Sequence, residues 1–179
     1  MPIVDERLSN DTIQFEGSLT PREVERLASN PDLESLQCSS NVDLRTWDLL
    51  NSLLFFRRPD VQLRVYGFYS SLCDLTFLPR ISHVRHFSVD AVTEAKGTEL
   101  IASLENLESL RVEVYNLDNF DFLASIPAGI TKLILGATKS KKPSLAPLQR
   151  FQSLSCLYLE GTRKISMFSR SSSVSGSSH

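Results

Sequence analysis

The chain repeats itself. Short triplets with apolar residues at both ends recur as Ile13-Gln14-Phe15, Leu36-Gln37-Cys38, Leu63-Arg64-Val65, Phe87-Ser88-Val89, Leu110-Arg111-Val112, Leu133-Ile134-Leu135 and Leu157-Tyr158-Leu159, at steps of 23, 27, 24, 23, 23 and 24 residues. Leu33, Val84, Leu107, Ile130 and Leu154 each stand three positions ahead of a triplet. Alternation of period two over so few residues marks a strand with one buried face. After each strand the spacing changes: Phe77 to Ile81, Leu100 to Leu104, Phe122 to Ile126 and Leu145 to Phe151 carry apolar residues three and four apart, as a helical or 3₁₀ turn requires. A unit of strand, turn and short return cannot bury its own apolar side. Only stacking closes such a core, and seven strands about 4.8 Å apart make a sheet roughly 29 Å long. The 27 leucines, about 15% of 179 residues, supply the rungs.

The pattern resembles that of leucine-rich repeat proteins, whose consensus is LxxLxLxxNxL. The unit at Leu33 matches best, with Leu36, Cys38, Asn41 and Leu44 on the following positions and Cys38 in place of a leucine. Units with an FLxxL-like return look like the short class of the phosphatase-regulatory and internalin groups and of many bacterial repeat proteins. The resemblance covers Ile13 to Phe168. It implies an α/β leucine-rich repeat solenoid of about seven units, with a parallel sheet on the concave face and short helices or 3₁₀ turns on the convex face. The asparagine position departs from the consensus, reading Ser18, Asn41, Phe68, Val92, Tyr115, Thr138 and Thr162. Ser, Asn and Thr can bond turn backbone through their side chains, whereas Phe, Val and Tyr cannot. The middle units must satisfy that turn otherwise, and Asn116 is the candidate substitute.

Three segments are expected: 1–32 as an N-terminal capping unit with the first strand, 33–168 as repeats, and 169–179 as a Ser-rich flexible tail. Ser18 or Thr20 before Pro21, with Glu23 and Glu25 behind, reads as a helix start. The second unit contains a helix apolar on two stripes, Trp47, Leu50 and Leu54 on one and Leu49, Leu53 and Phe56 on the other, both expected to be core. After Leu159 no FLxxL return follows. Either Ile165, Met167 and Phe168 cover the last rung, or a partner or second copy does.

If the triplet ends point inward, the middle residue and the one after the triplet face outward on the sheet. That face then carries Arg64, Tyr66, His86, Asp90, Arg111, Glu113, Lys132 and Tyr158, the expected partner-binding set, because Tyr and Arg are frequent interface anchors. Asp90 and Glu113 share a register on neighbouring strands, a repulsion that Arg64 and Arg111 are placed to offset. Lys139, Lys141, Lys142, Arg163 and Lys164 cluster at one strand-loop edge as an anion-binding candidate or as solvated loop charge.

Signals for chemistry are weak. His83 and His86 form H-x-x-H without a completing ligand set, so no metal or cofactor is expected. No phosphate-binding glycine loop or nucleophile-elbow motif occurs. With 19 basic and 21 acidic residues, a net charge of -2, no general attraction to nucleic acid or anionic membrane arises. The start, MPIVDERLSN, lacks a basic segment followed by an apolar run, and no stretch of 18 apolar residues exists. Cys38, Cys73 and Cys156 show no framework or CxxC spacing. The sequence therefore predicts a soluble, cytoplasmic, non-enzymatic scaffold binding a protein partner through the concave face. Two readings stand beside it: self-association of a repeat fragment through the C-terminal edge, and a hydrolase centred on Asp90 and Glu113.

Overall fold

Every apolar-ended triplet starts on a strand of one parallel sheet, stacked in register, with Phe15 of the first lying just past its strand. The computed structural model describes residues 11–67, 72–136 and 144–160. The strands are β1 (Thr12–Gln14), β2 (Ser35–Ser39), β3 (Gln62–Gly67), β4 (Cys73–Asp74), β5 (His86–Ala91), β6 (Ala95–Lys96), β7 (Ser109–Val114), β8 (Lys132–Gly136) and β9 (Cys156–Leu159). Seven of them form the main sheet in the order β1-β2-β3-β5-β7-β8-β9, all pairs parallel. The unbroken sequence order is what a solenoid produces, since each unit adds one strand beside its predecessor.

Register sets the core. Ile13, Leu36, Leu63, Phe87, Leu110, Leu133 and Leu157 are matched Cα partners across the sheet, so their side chains form one inward row. Cys38, Val65, Val89, Val112 and Leu135 form the next, fully buried. Burial of each such large side chain contributes about 1.5–3 kcal/mol. The first row stays buried until its last member, where Leu157 is 44% exposed.

The returns close the other side. Short 3₁₀ segments occupy Leu78–Arg80, Thr98–Ser103, Asp121–Ala124 and Ala146–Arg150, where three- and four-residue spacing places them. The first two units use longer helices, α1 (Pro21–Ala28) and α2 (Leu44–Leu49), the latter continuing as a π-helical turn over Leu50–Phe55. Thr20, rather than Ser18, caps α1 in a capping box: Glu23 N–H donates to Thr20 Oγ1 and Thr20 N–H donates to Glu23 Oε2. Trp47, Leu50 and Leu54 are core, and Trp47 stacks on Phe77 of the next unit with ring centroids 3.8 Å apart. The second stripe is only partly so: Leu49 and Leu53 pack against the core, whereas Phe56 stays exposed, edge-on to His83.

The turn after the strands is satisfied differently from the expectation. Asn41 is exposed, and it is Ser40 Oγ that accepts the Asp74 N–H at 3.0 Å. In the middle units backbone pairs with backbone: β4 pairs β6, and Cys73, Leu75, Tyr115 and Asn116 N–H groups donate to Glu94, Lys96, Ala91 and Thr93 carbonyls. A second short parallel ladder therefore replaces the side-chain bonds that Val92 and Tyr115 cannot make. Asn116 contributes mainly its own N–H, 2.8 Å from the Thr93 carbonyl, with its amide 3.4 Å from Glu94 Oε1.

One buried hydroxyl joins the first two units. Thr46 is 1% exposed; its Oγ1 accepts the Leu19 N–H at 3.0 Å and donates to Asp43 Oδ2 at 2.8 Å, while Asp43 Oδ1 accepts the Thr46 N–H. Hydrogen bonds from the Ser18 side chain and from the Thr46 backbone and side chain hold the Asp43 carboxyl down at about 2, against an ordinary 3.8. Ionised Asp43 therefore stabilises the fold fully above its ordinary pKa, and that contribution fades as pH falls through about 2. Thr46→Val keeps the shape but leaves the Leu19 N–H buried without its acceptor. Chemical denaturation should show a loss of about 1–3 kcal/mol.

Candidate binding face

The residues that alternate with the two inward rows point to the other side of the sheet and form three outward rows. The first reads Ser35, Gln62, His86, Ser109, Lys132 and Cys156; the second Gln14, Gln37, Arg64, Ser88, Arg111, Ile134 and Tyr158; the third Ser39, Tyr66, Asp90, Glu113 and Gly136. Glu160 extends the third row, its N–H bonded to the Leu135 carbonyl at 2.8 Å. A groove of about 990 Å³ runs over the first two rows, lined by Arg58, Arg64, His86, Asp90, Arg111 and Lys132 among others. Five of the eight expected partner-binding residues thus lie in one concavity. Glu113 and Tyr158 share the same sheet face toward its C-terminal end.

Polar side chains in this face are cross-linked along the stack. Gln37 Nε2 donates to Gln14 Oε1 at 2.9 Å, and Arg64 donates to Gln37 Oε1 at 2.9 Å and to Asp90 Oδ2 at 2.5 Å. Arg111 Nε donates to Glu113 Oε2, two residues along the same strand. The expected repulsion between Asp90 and Glu113 is therefore offset by one arginine apiece. Burial alone would raise the Glu113 carboxyl, but hydrogen bonding and charge from Arg111, a side-chain hydrogen bond with Glu160 and the charge of Arg64 hold it below 4.5.

Tyr66 lies on the expected face but is largely covered. Its Cβ leaves on the outward side, yet the residue is only 8% exposed. It lines a second cleft of about 500 Å³ with Glu16, Ser39, Asn41 and Asp74 at the strand C-terminal ends. The Arg64 guanidinium sits 6.0 Å from its ring centroid. Alternation tells where a bond starts and not where a long ring comes to rest.

Two exposed residues were not read as part of the face. Val92 and Tyr115 follow Asp90 and Glu113 by two positions, stand side by side where Tyr115 N–H meets the Ala91 carbonyl, and are 44% and 57% exposed. The signal was available as apolar residues at the position where the repeat expects asparagine. Tyr158 is likewise 55% exposed. The anion-binding candidates Lys139, Lys141, Lys142, Arg163 and Lys164 lie outside the described residues, as do Ile165, Met167 and Phe168.

For chemistry the face offers little. Asp90 and Glu113 are each engaged by an arginine on an open sheet, not poised as a proton donor and acceptor in an enclosed site. His86 lies on the outward face, while His83 Nδ1 sits 3.3 Å from the Asn51 carbonyl on the helical side, so the two do not converge. Among the described residues no group of three or more His, Cys, Asp or Glu could hold a metal, and no helix is long and apolar enough to cross a membrane.

No family model matches the chain, and no curated protein matches it. Among solved structures it is similar to an internalin, inlF of Listeria monocytogenes str. 4b F2365, at 16% identity and a TM-score of 0.38. That match covers 75% of this chain and 43% of the other, so this chain spans less than half the length of that structure.

Burial also sorts the thiols. Cys38 is buried and its thiol pushed far up by desolvation, and burial likewise pushes Cys73 up to about 11. Cys156 is exposed at the start of β9. Alkylation of the native protein followed by peptide mass spectrometry should modify Cys156, with Cys38 and Cys73 reacting only after unfolding. The geometry is that of a leucine-rich-repeat-like solenoid with an open, charged and aromatic sheet face.

Proposed function

We propose that this chain is a non-catalytic leucine-rich repeat scaffold that binds a protein partner through its concave strand face. The observation that carries the reading is the composition of that face: arginine-carboxylate pairs held in fixed register beside the exposed rings of Tyr115 and Tyr158. Rigid aromatics and preorganised arginines lose little freedom on association, which is why such residues dominate interface energetics. Carboxylates along the third outward row make this a poor surface for nucleic acid phosphates. A reducing, cytoplasmic setting belongs to the same reading and is supported by three unpaired thiols.

Arg111→Ala with Tyr158→Ala tests the claim, because both residues are on the face and neither belongs to the buried core. Arg80→Ala serves as the control, since it breaks only the Arg80–Asp48 pair on the helical side. In capture from lysate with quantitative mass spectrometry, the double variant should lose at least about 1.4 kcal/mol of affinity, a tenfold drop in bound partner, while the control retains it. Equal capture by both, at unchanged melting temperature, would contradict the reading.

A further inference from the structure

A covered hydroxyl lies at the floor of the groove. Ser88 on β5 is 1% exposed, stands on the second outward row and lines the groove, yet its Oγ makes no hydrogen bond among the described residues. Its register neighbours are arginines on both sides, Arg64 on β3 and Arg111 on β7. Polar groups this deeply covered are nearly always paired, so a hydroxyl left open between two guanidinium-bearing strands is completed from outside the fold, by water or by a ligand group. The donors around it decide which ligand group fits.

Arg64 is committed at both Nη groups, to Gln37 and to Asp90. Arg111 spends only its Nε, on Glu113, and its two Nη groups carry no hydrogen bond among the described residues. On the first outward row His86 and Lys132 flank Ser109 in register, and Lys132 is exposed with no ion pair or hydrogen bond among the described residues. With strands about 4.8 Å apart and residues about 3.3 Å apart along each, the Cα atoms of Ser88, Arg111 and Lys132 fall within about 12 Å of one another. All three line the same groove, so unused donors from three strands share one concavity. The carboxylates that line it are paired or distant. Asp90 accepts from Arg64 and Asp60 from Arg58, while Glu34 stands just ahead of β2, at the opposite end of the groove from Lys132 on β8.

We propose that this part of the groove receives an acidic side chain, Asp or Glu, from an extended segment of the protein partner, its carboxylate accepting from Ser88 Oγ, an Arg111 Nη group and Lys132 Nζ. The inference rests on the protein-binding reading above and supplies the chemistry of the partner. Charge-assisted bonds from Arg and Lys to a carboxylate are the strong ones, and two of the three donors here are of that kind. The groove, about 990 Å³ and running from Thr12 on β1 to Lys132 on β8, is far larger than a lone anion needs, so the carboxylate belongs to a longer segment. Toward β2 and β3 it is lined by Ser35 and Gln62, uncharged donors and acceptors suited to peptide backbone. Glu113 and Glu160 on the third row repel a polyanion, so a single acidic side chain fits where a chain of phosphates does not.

The test titrates the full chain, at constant salt, into two fluorescein-labelled peptides read by fluorescence polarisation: one of Ser-Glu-Leu repeats and one with Gln in place of every Glu. The acidic peptide should bind at least about tenfold more tightly than its Gln counterpart. Lys132→Gln should weaken the acidic peptide by about fivefold or more. Ser88→Ala, which keeps every charge and removes only the floor hydroxyl, should weaken it by about threefold or more at unchanged melting temperature. Arg22→Gln, which removes an exposed cation on α1, should leave binding unchanged. Equal binding of the two peptides, an Arg22→Gln effect as large as that of Lys132→Gln, or a Ser88→Ala protein that binds like the parent would overturn the proposal and leave water on Ser88 with a general charge effect. Loss of lysate partners in the Arg111→Ala, Tyr158→Ala protein together with indifference to both peptides would overturn the acidic-segment inference alone. Unchanged lysate capture in that protein would remove the protein-binding reading itself.

Discussion

The shared burial of matched inward side chains between neighbouring strands is the interaction on which everything else in this molecule rests. Leu63 meets Phe87, Phe87 meets Leu110 and Leu110 meets Leu133, each pair fixed by the parallel register of the strands that carry them. No unit possesses enough apolar surface to close a core by itself, so each is stable only through its neighbours. Because side chains alternate along a strand, the same register that aligns the buried rows also aligns the outward ones. Core and binding face are consequences of one constraint.

Electrostatics on the open face follows from that alignment. Arg64 reaches Gln37 on one side and Asp90 on the other because β3 lies between β2 and β5 without offset. Arg111 is spent on Glu113 within its own strand. Gly136 removes the side chain that would otherwise separate Glu113 from Glu160. Ion pairs Arg57–Glu25 and Arg80–Asp48 on the helical side and Arg85–Glu108 at the strand starts also join successive units, but they are solvent-exposed and screened, so they add little. Arg58 and Arg150 serve a different purpose, since their guanidinium groups donate to backbone carbonyls of the preceding unit at Asn30 and Leu33, and at Leu123, Ala124 and Ile126. These bonds add donors to turn carbonyls that the short returns leave poorly paired.

The strands were legible in the sequence because a rung tolerates little besides leucine, valine, isoleucine, phenylalanine or cysteine, and that restriction recurs at nearly constant spacing. The 3₁₀ returns were legible for the same reason. What escaped was decided by contacts between units. The pairing of β4 with β6 uses only backbone groups, so Cys73–Asp74 and Ala95–Lys96 carry no side-chain signature of it. The burial of the Tyr66 ring, which lines a cleft with Glu16, Ser39 and Asp74 of other units, is not written in its own strand. Val92 and Tyr115 were noticed as misfits at a consensus position, but their exposure follows from the backbone ladder that replaced the asparagine. All eight residues expected on the face start on its outward rows, and Tyr66 differs from the rest in being almost wholly covered there.

A stack of this kind makes a direct claim about where stability resides: interior rungs carry it, and the last described rung carries little. Leu110 is 1% exposed between two strands, whereas Leu157 is its register counterpart on β9 and is 44% exposed. Equilibrium denaturation of Leu110→Ala and Leu157→Ala measures the difference. The account predicts a loss of about 2–5 kcal/mol for Leu110→Ala and less than about 1 kcal/mol for Leu157→Ala. Equal losses at the two positions would contradict it.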